Sequence, residues 1–547
     1  MKKLATMVVL LATAGAAAAS LLVRVDLAPG QDIEAVASSG ADVLLELDGW
    51  CLARGDDAGA ARLAERFVCT VLDRDPEAKR YVYAEPDPGF DRRRLAEFGS
   101  VLTEDRTGVL LCVTENGVAG LTRLPVELCG VSMNPMYLGE ISNPKPQTPN
   151  RPTVSDSLIW LLVGRASQDS SEAVLRRLIA FRTRYAVTES GWSAVRWFRD
   201  KLAHYGCDTT YLDTFGIPDT GPSISAIGVK RGRVNPNRVY VVCGHIDNTS
   251  EIPETDAPGS DDNASGAGLV LEAARIFADM NFDYTVWFIG FGAEEWGLVG
   301  SDSFARECRE RGDTIVLAIN HDMNSYGTAG RDSIKVVGKR SNPPCSTWVD
   351  FYLAQADMFT DLKCRREIVD VQASSDHHSF WQYGYTAIRD RYLDRDPQFH
   401  TTGDTIGPFE YYDCGTNNLP MYTEAIKATV ATVAKLAGPH RRTGVEESRK
   451  PQAAGLKLTA SPSVFRSETT IRVSGSSFVL PRSSLSIYDA SGRLVRALSL
   501  PQSPTPDPYP LTWDGTTESG ARAAPGVYYA RLGQGDDAAP VRLVLAE

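Results

Sequence analysis

Arg238-Val239-Tyr240-Val241-Val242-Cys243-Gly244-His245-Ile246-Asp247 is a continuous apolar run that opens into a histidine and an aspartate two residues apart. A run of this kind reads as a strand buried on both faces. Thr285-Val286-Trp287-Phe288-Ile289-Gly290-Phe291 repeats the pattern and leads to Glu294-Glu295, and Thr314-Ile315-Val316-Leu317-Ala318-Ile319 leads to Asp322. Between the first two runs, Ala267, Val270, Leu271, Ala274 and Phe277 fall on one face of a helix starting just after Asp262, with its positive amino end toward that carboxylate. Ser265, Gly266, Ala267 and Gly268 are small enough to let this helix lie close on the sheet. After the second run, Ser301 is expected to cap a helix that continues through Arg311 and stops at Gly312. The pattern predicts an α/β fold with a mixed, mostly parallel sheet flanked by helices, whose chemistry lies just past the carboxyl ends of the strands.

Those strand ends carry ligand-type side chains. His245, Asp262 (in Ser260-Asp261-Asp262-Asn263-Ala264-Ser265-Gly266), Glu295, Asp322 and His400 are suited to divalent metal, and Glu294 is left unpaired beside them. Two zinc ions bring four positive charges and Asp262, Glu295 and Asp322 bring three negative ones, so one bridging hydroxide makes the centre neutral. Taken singly, a His-x-Asp pair or two adjacent glutamates is a common surface feature; their joint occurrence at successive strand ends carries the reading. His321 and His378, each next to a stronger candidate, read as packing or supporting residues. His204 and His440, in a helix and a linker, receive no role.

In this order and spacing the residues resemble the zinc exopeptidases of metallopeptidase family twenty-eight, which include secreted bacterial leucyl-type aminopeptidases, carboxypeptidase Q and glutamate carboxypeptidase. The resemblance covers roughly residues 160 to 437. It implies two Zn2+ ions, one held by His245 and Asp322, the other by Glu295 and His400, with Asp262 bridging and Glu294 as general base. It further implies a cis Asp262-Asn263 peptide, a carboxylate at Asp247 that orients the His245 imidazole, and an Asp404 (in His400-Thr-Thr-Gly-Asp404-Thr) that steadies the last ligand's loop. Ser375-Asp376-His377 matches a family segment near the active site, which makes His377 a candidate for substrate contact. Gln372 falls, in a loose match, where the leucyl-type enzymes place a substrate-polarising tyrosine. The activity implied is hydrolysis of amino-terminal peptide bonds by a metal-bridging hydroxide. Alternatives are a carboxypeptidase of the same family, a glutaminyl-cyclase-like single-zinc acyltransferase, and a receptor-like homologue without metals; the complete ligand set argues against the last two.

The chain of 547 residues is long enough for about three domains. Lys2, Lys3, an apolar stretch from Met7 to Ala14 and the small run Ala16-Ala17-Ala18-Ala19-Ser20 read as a signal peptide over residues 1–20, which predicts a secreted or extracytoplasmic location, in the periplasm or at the cell surface. No later apolar run is long enough to span a bilayer. Ten cysteines agree with export, without fixing any pairing; Cys243, inside a buried strand, is expected to stay a thiol. A net charge of -12 argues against a nucleic-acid surface and for solubility, so the expected partner is a peptide or protein substrate.

Residues 21–140 read as two copies of a ferredoxin-like βαββαβ unit, the first from Leu22-Val23-Arg24-Val25 to Val68-Cys69-Thr70-Val71 and the second from Tyr81 to Val126-Glu127-Leu128-Cys129. A disulfide within each copy is tempting. Strands two apart in such a sheet are separated by about 9 to 10 Å, beyond the ~7 Å that a disulfide tolerates, so the cysteines' role stays open. Small units ahead of a secreted protease resemble inhibitory or folding-assisting propeptides; a permanently attached spacer is the alternative. Residues 141–155, with Pro144, Pro146, Pro149 and Pro152, form a linker that a protease could cut, residues 156–437 the catalytic domain, and residues 438–455 a second linker. From residue 456 to 547, alternating segments such as Leu485-Ser-Ile-Tyr-Asp489 and Gly526-Val-Tyr-Tyr-Ala-Arg-Leu532 read as an all-β immunoglobulin-like sandwich. Tyr488-Asp489-Ala490-Ser491-Gly492-Arg493 and Trp513-Asp514-Gly515 resemble the flagellar-hook-cap and sorting modules of exported bacterial proteins, which implies envelope or surface attachment, with a purely structural appendage as the alternative.

Overall fold

The structure is a computed structural model that describes residues 20–114, 116–138, 154–327, 333–370, 373–393, 396–406, 417–441, 457–474, 484–489, 493–499, 509–532 and 541–546. The expected signal peptide (apart from Ser20), nearly all of the 141–155 linker and Gln372 lie outside the described residues. The chain divides into two compact units, Met1–Arg441 and Arg442–Glu547.

The first unit opens with the two predicted repeats. In the first, β1 (Leu21–Asp26), α1 (Ile33–Ala37), β2 (Asp42–Leu47), β3 (Trp50–Gly55), α2 (Asp57–Ala64) and β4 (Val68–Asp73) form a sheet of order β2-β3-β1-β4. The second repeats it with β5 (Arg80–Pro86), a 3-10 turn over Arg92–Glu97, β6 (Gly99–Glu104), β7 (Val109–Val113), α3 (Gly117–Leu121) and β8 (Val126–Gly130), in the order β6-β7-β5-β8. In both, the third and fourth strands flank the first, as expected for this unit. Cys51 and Cys69 therefore face Val25 from opposite sides, one full strand apart. Cys112 and Cys129 sit opposite Tyr81 and Tyr83, out of register with each other. All nine cysteines among the described residues are free thiols, Cys243 buried among them.

The catalytic body follows: α4 (Asp156–Val163), α5 (Gln168–Ile179), α6 (Glu189–His204), β9 (Thr209–Ile217), β10 (Gly221–Lys230), β11 (Gly232–His245), α7 (Gly266–Ile276), β12 (Met280–Phe291), α8 (Val299–Arg311), β13 (Ile315–His321), β14 (Ser333–Lys339), α9 (Pro343–Phe359), β15 (Lys363–Val369), α10 (His377–Gln382), β16 (Ala387–Tyr392), α11 (Leu419–Ala437) and β17 (Pro439–Arg441). The strand order is β15-β14-β16-β13-β11-β12-β10-β9, with β17 added against β12. The centre, β16-β13-β11-β12, is parallel, and antiparallel pairings join β14 to β16, β10 to β12 and β9 to β10. This is the mixed α/β sheet that the apolar runs predicted. Helices α4, α5, α6, α7, α9 and α11 bury one face, and α8 with α10 the other.

Two local readings are corrected. Helix α8 starts at Val299, with Leu298 at its cap position in the left-handed region (φ 63°). Ser301 lies inside the first turn, fully buried, its hydroxyl bonded to the Leu298 carbonyl and to Ser379. The serine had matched a capping pattern, but burial directs its hydroxyl to the neighbouring helix. The stretch from Gly438 is not linker from its first residue: Pro439–Arg441 pairs antiparallel with Met280–Phe282, which puts His440 on a strand.

The second unit packs a three-stranded and a five-stranded sheet around Ile471, Leu485, Ile487, Trp513, Ala530 and Leu543. Trp513 is fully buried with its indole N–H on the Thr516 carbonyl, which explains the Trp-Asp-Gly turn read in the sequence. Among the described residues of the whole chain, no helix is long and apolar enough to cross a membrane.

Candidate metal centre

Three strand ends, one turn and one returning loop meet at a single place. His245 is the last residue of β11, Glu294 and Glu295 follow β12, Asp322 follows β13, and Asp262 sits in the turn Ser260–Ser265 that leads into α7. His400 arrives from the loop after β16. The chain is bent sharply here: Ala293, Met323 and His400 have φ of 59°, 58° and 56°, a left-handed conformation that non-glycine residues adopt only where surroundings hold them. The Asp262-Asn263 peptide is cis. Close backbone contact sets the spacing of the segments. A Cβ at Gly244 would come within 2.6 Å of the His321 carbonyl oxygen, and Gly266 packs on that same oxygen.

The donor atoms fall into two sets that share Asp262. One Asp262 oxygen, Oδ1, is 3.4 Å from His245 Nε2, which is also 3.4 Å from Asp322 Oδ1. The other, Oδ2, is 3.2 Å from His400 Nε2, which is 2.9 Å from Glu295 Oε2. Ligands about 2.0 to 2.1 Å from a tetrahedral ion lie roughly 3.3 Å from one another, so these separations fit a zinc-sized cation in either set. Glu295 Oε1 is buried without a hydrogen-bond partner, a position that only a cation or a proton would relieve. Glu294 comes within reach of the His245 and Asp322 donors, all three within 4.8 Å of one another, without any ion pair of its own to a histidine. All six side chains are at most 6% exposed.

Charge and burial compete strongly. Burial alone would depress both imidazoles, yet the carboxylates of Glu294 and Asp322 hold His245, and those of Glu295 and Asp262 hold His400, well above the ordinary range. Burial works the other way on Asp322, but the Arg389 guanidinium and His245 overcome it and keep the carboxyl far below its usual range. Burial lifts Glu294 well above normal, with Glu295 and Asp376 adding to the rise against the opposing pull of His245. For Glu295 burial is offset in part by His400, and the carboxyl is pushed up to about 7.

The supporting shell departs from expectation in one place. Asp247 was read as the carboxylate that orients His245; instead its backbone oxygen lies 3.1 Å from His245 Nδ1, while the carboxylate accepts the amides of Glu294 (3.1 Å) and Glu295 (3.2 Å). The Asp247 carboxylate thus shapes the two-glutamate loop, its oxygen 3.8 Å from the ring. Asp404 accepts the amides of Asp261 (2.8 Å) and Asp262 (2.9 Å), tying the His400 loop to the turn of the shared carboxylate. His377 is brought into the buried surroundings but not to ligand distance. Neither ring nitrogen has a hydrogen-bond partner, its ring meets Trp381 edge-on at 4.5 Å, and burial with the Arg389 charge holds it neutral. His321 faces Asp390 at 2.6 Å, supporting and not ligating.

Sequence reasoning missed two arginines. Arg389 on β16 donates to Asp322 Oδ2 at 2.8 Å and to the Ser374 carbonyl at 2.9 Å. The signal was a charged strand, Arg389-Asp390-Arg391, inside an apolar surround. Arg184, fully buried, reaches the carbonyls of Ile246 (2.7 Å), Pro258 (2.6 Å) and Gly259 (2.8 Å), and so clasps the His245 and Asp262 loops together. No local pattern announces it.

A buried two-histidine, three-carboxylate set with a spare glutamate, at the carboxyl edge of an α/β sheet, defines a metallohydrolase-type site. The profile of Peptidase family M28 matches residues 227–417, and that of the FlgD Ig-like domain matches residues 467–537, so these two stretches are similar to an M28 peptidase domain and to an immunoglobulin-like module. A probable zinc metalloprotease of Pyrenophora tritici-repentis is 26% identical over 42% of this chain and 64% of its own length. Leucine aminopeptidase 1 of Paracoccidioides brasiliensis is 28% identical over 45% of this chain and 67% of its own. The chain spans 58% and 64% of the first two zinc metalloproteases that it matches. Among solved structures, the Legionella pneumophila LapA aminopeptidase aligns with a TM-score of 0.49 and 17% identity, over 66% of this chain and 98% of that one.

Proposed function

We propose that this protein is an exported dizinc aminopeptidase. One observation carries the reading: the two oxygens of Asp262 face different histidines, at 3.4 and 3.2 Å, with Glu294 within 4.8 Å of the His245 and Asp322 donors. His245, Asp322 and Asp262 would hold one zinc, and Glu295, His400 and Asp262 the other. When bound, zinc supplies Lewis-acid polarisation of a carbonyl and acidifies water.

The remaining work falls to the chain's own groups. Glu294 takes the proton of the attacking water and delivers it to the departing amine; a carboxyl that burial holds above its ordinary range suits both duties. Asp247 fixes the amide of that residue and of its neighbour, so the base and the ligand keep their separate orientations. Arg389 holds Asp322 in its ionised form. The charged and apolar pattern of residues 1–20 supports export, and the FlgD-type module fits attachment or sorting at the cell envelope. Zinc analysis tests the metal count, with two ions per chain expected. A panel of leucine anilide, amino-acylated and end-blocked peptides tests the activity; turnover only of substrates with a free carboxyl terminus would move the chain to the carboxypeptidase branch.

A further inference from the structure

The second amino-terminal repeat does more than precede the catalytic body. The carbonyl oxygen of Leu124 lies 3.0 Å from His400 Nδ1, across 276 residues of sequence. A ring nitrogen facing a carbonyl must donate, so Nδ1 carries a proton and Nε2 is the ring atom left facing Asp262 and Glu295. This oxygen is held out by a tight turn. Val126 N–H returns to it at 2.8 Å, and the intervening Pro125 has no N–H to compete.

The far end of β8 is anchored equally closely. Gly130 N–H donates to the Gly297 carbonyl at 3.1 Å, two residues beyond Glu295. Both glycines are needed for that approach: a Cβ at Gly130 would sit 2.9 Å from the Gly297 oxygen, and one at Gly297 would sit 2.7 Å from the Gly130 nitrogen. The two ends of one segment therefore touch the loops of Glu295 and of His400, the pair assigned above to one zinc. Between them, Glu127 is buried, and its charge interacts with Arg389 and Arg391. Val126 and Leu128 share an apolar core with Tyr185, Phe215, Ala293 and Trp296 of the catalytic body. Thr249, four residues past His245, donates its hydroxyl to the Thr122 carbonyl.

We propose that the second repeat is a permanent part of the metal centre, with β8 and the turn before it holding Glu295 and His400 in ligand geometry and Leu124 positioning the His400 ring through its carbonyl. A shed propeptide would leave His400 without its acceptor and open an apolar core to water. The inference rests on the two-zinc reading, and its test separates the two. Gly130→Ala forces β8 off Gly297, and Thr249→Val removes the hydroxyl that holds the turn; both are made in the full chain, with Arg123→Ala, which breaks only a surface contact to Glu254, as control.

Chelator titration should release one of the two zincs from Gly130→Ala and Thr249→Val at ~10-fold lower chelator or less, the loss typical of removing a supporting partner, with the other zinc and the control unchanged. Placed on His400→Ala, Gly130→Ala should add little, because both act on one ion. A chain nicked within residues 141–155 should keep its repeats through gel filtration and its activity unchanged. Wild-type release profiles in both variants, or departure of the repeats from nicked protein with both zincs and full activity retained, would each overturn the proposal. Failure of wild-type protein to bind two zincs would instead overturn the reading beneath it.

Discussion

Replacing Asp247 by asparagine distinguishes what this side chain was expected to do from what it does. The backbone oxygen that faces His245 survives the change, so the His245 side of the centre should keep its metal. The side chain loses more. Its carboxylate receives two amide N–H groups, from Glu294 and Glu295, at 3.1 and 3.2 Å in a site 2% exposed to solvent. Asparagine offers one acceptor and turns an NH2 toward the other amide, donor against donor. A hydrogen bond to a charged acceptor contributes about 1.5 to 3 kcal/mol, and burial, which raises the Asp247 carboxyl, returns part of that when the charge is removed. A net displacement of the base worth about 1.5 to 3 kcal/mol, at 1.4 kcal/mol per decade, predicts kcat/KM on leucine anilide down by roughly 10- to 100-fold. Zinc content should remain that of wild type. Unchanged kcat/KM would refute the loop-clamping role, and selective loss of the His245-side zinc would restore the carboxylate to the imidazole.

Glu294→Gln should lower kcat by at least ~100-fold while zinc content is retained, since it removes the proton carrier and no ligand; activity in a metal-replete variant would refute that role. N-acetylation of a peptide should abolish its cleavage and C-terminal amidation should not, as chromatography of the products would show. Asp302, raised by burial to about 6 and bonded by the Tyr383 hydroxyl at 2.9 Å, binds its proton more tightly folded than unfolded. Its contribution is therefore full below the unfolded value near 4 and is lost as pH rises through 6, a fall of up to ~3 kcal/mol. Asp302→Asn should flatten denaturation midpoints across that window; an unaltered slope would count against it. Tyr352→Phe removes the hydroxyl that donates to Asp390 Oδ2 at 2.7 Å and should cost ~1 to 3 kcal/mol in urea unfolding.

The strands that carry ligands were legible because each is an apolar run interrupted by one chemical residue, and burial on both faces forces that composition. The five ligand-type residues and Glu294 converge as the spacing implied, and both repeats show the predicted strand order. What stayed hidden depends on long-range closure. Asp247 matched a known spacing to His245, but the direction of its carboxylate is decided by the amides of a loop some 47 residues away. Arg184 clasps two loops that are remote from it in sequence. Leu124 acts through a backbone atom, which leaves no trace in residue type. Ser301 satisfied a capping pattern that the sharp turn at Leu298 had already made unnecessary.

The meeting of Gly244 and Gly266 on the His321 carbonyl bears on how this centre could change over time. Distances between ligand-bearing segments are set there by main chain resting on main chain, with the Asn263 amide bridging the contact by donating to the His321 carbonyl at 3.0 Å and accepting the Gly266 N–H at 2.7 Å. The separation of the two donor sets is therefore inherited as a unit with the backbone and resists gradual adjustment. New substrate preferences have to be acquired elsewhere, in loops that can vary without moving those three segments.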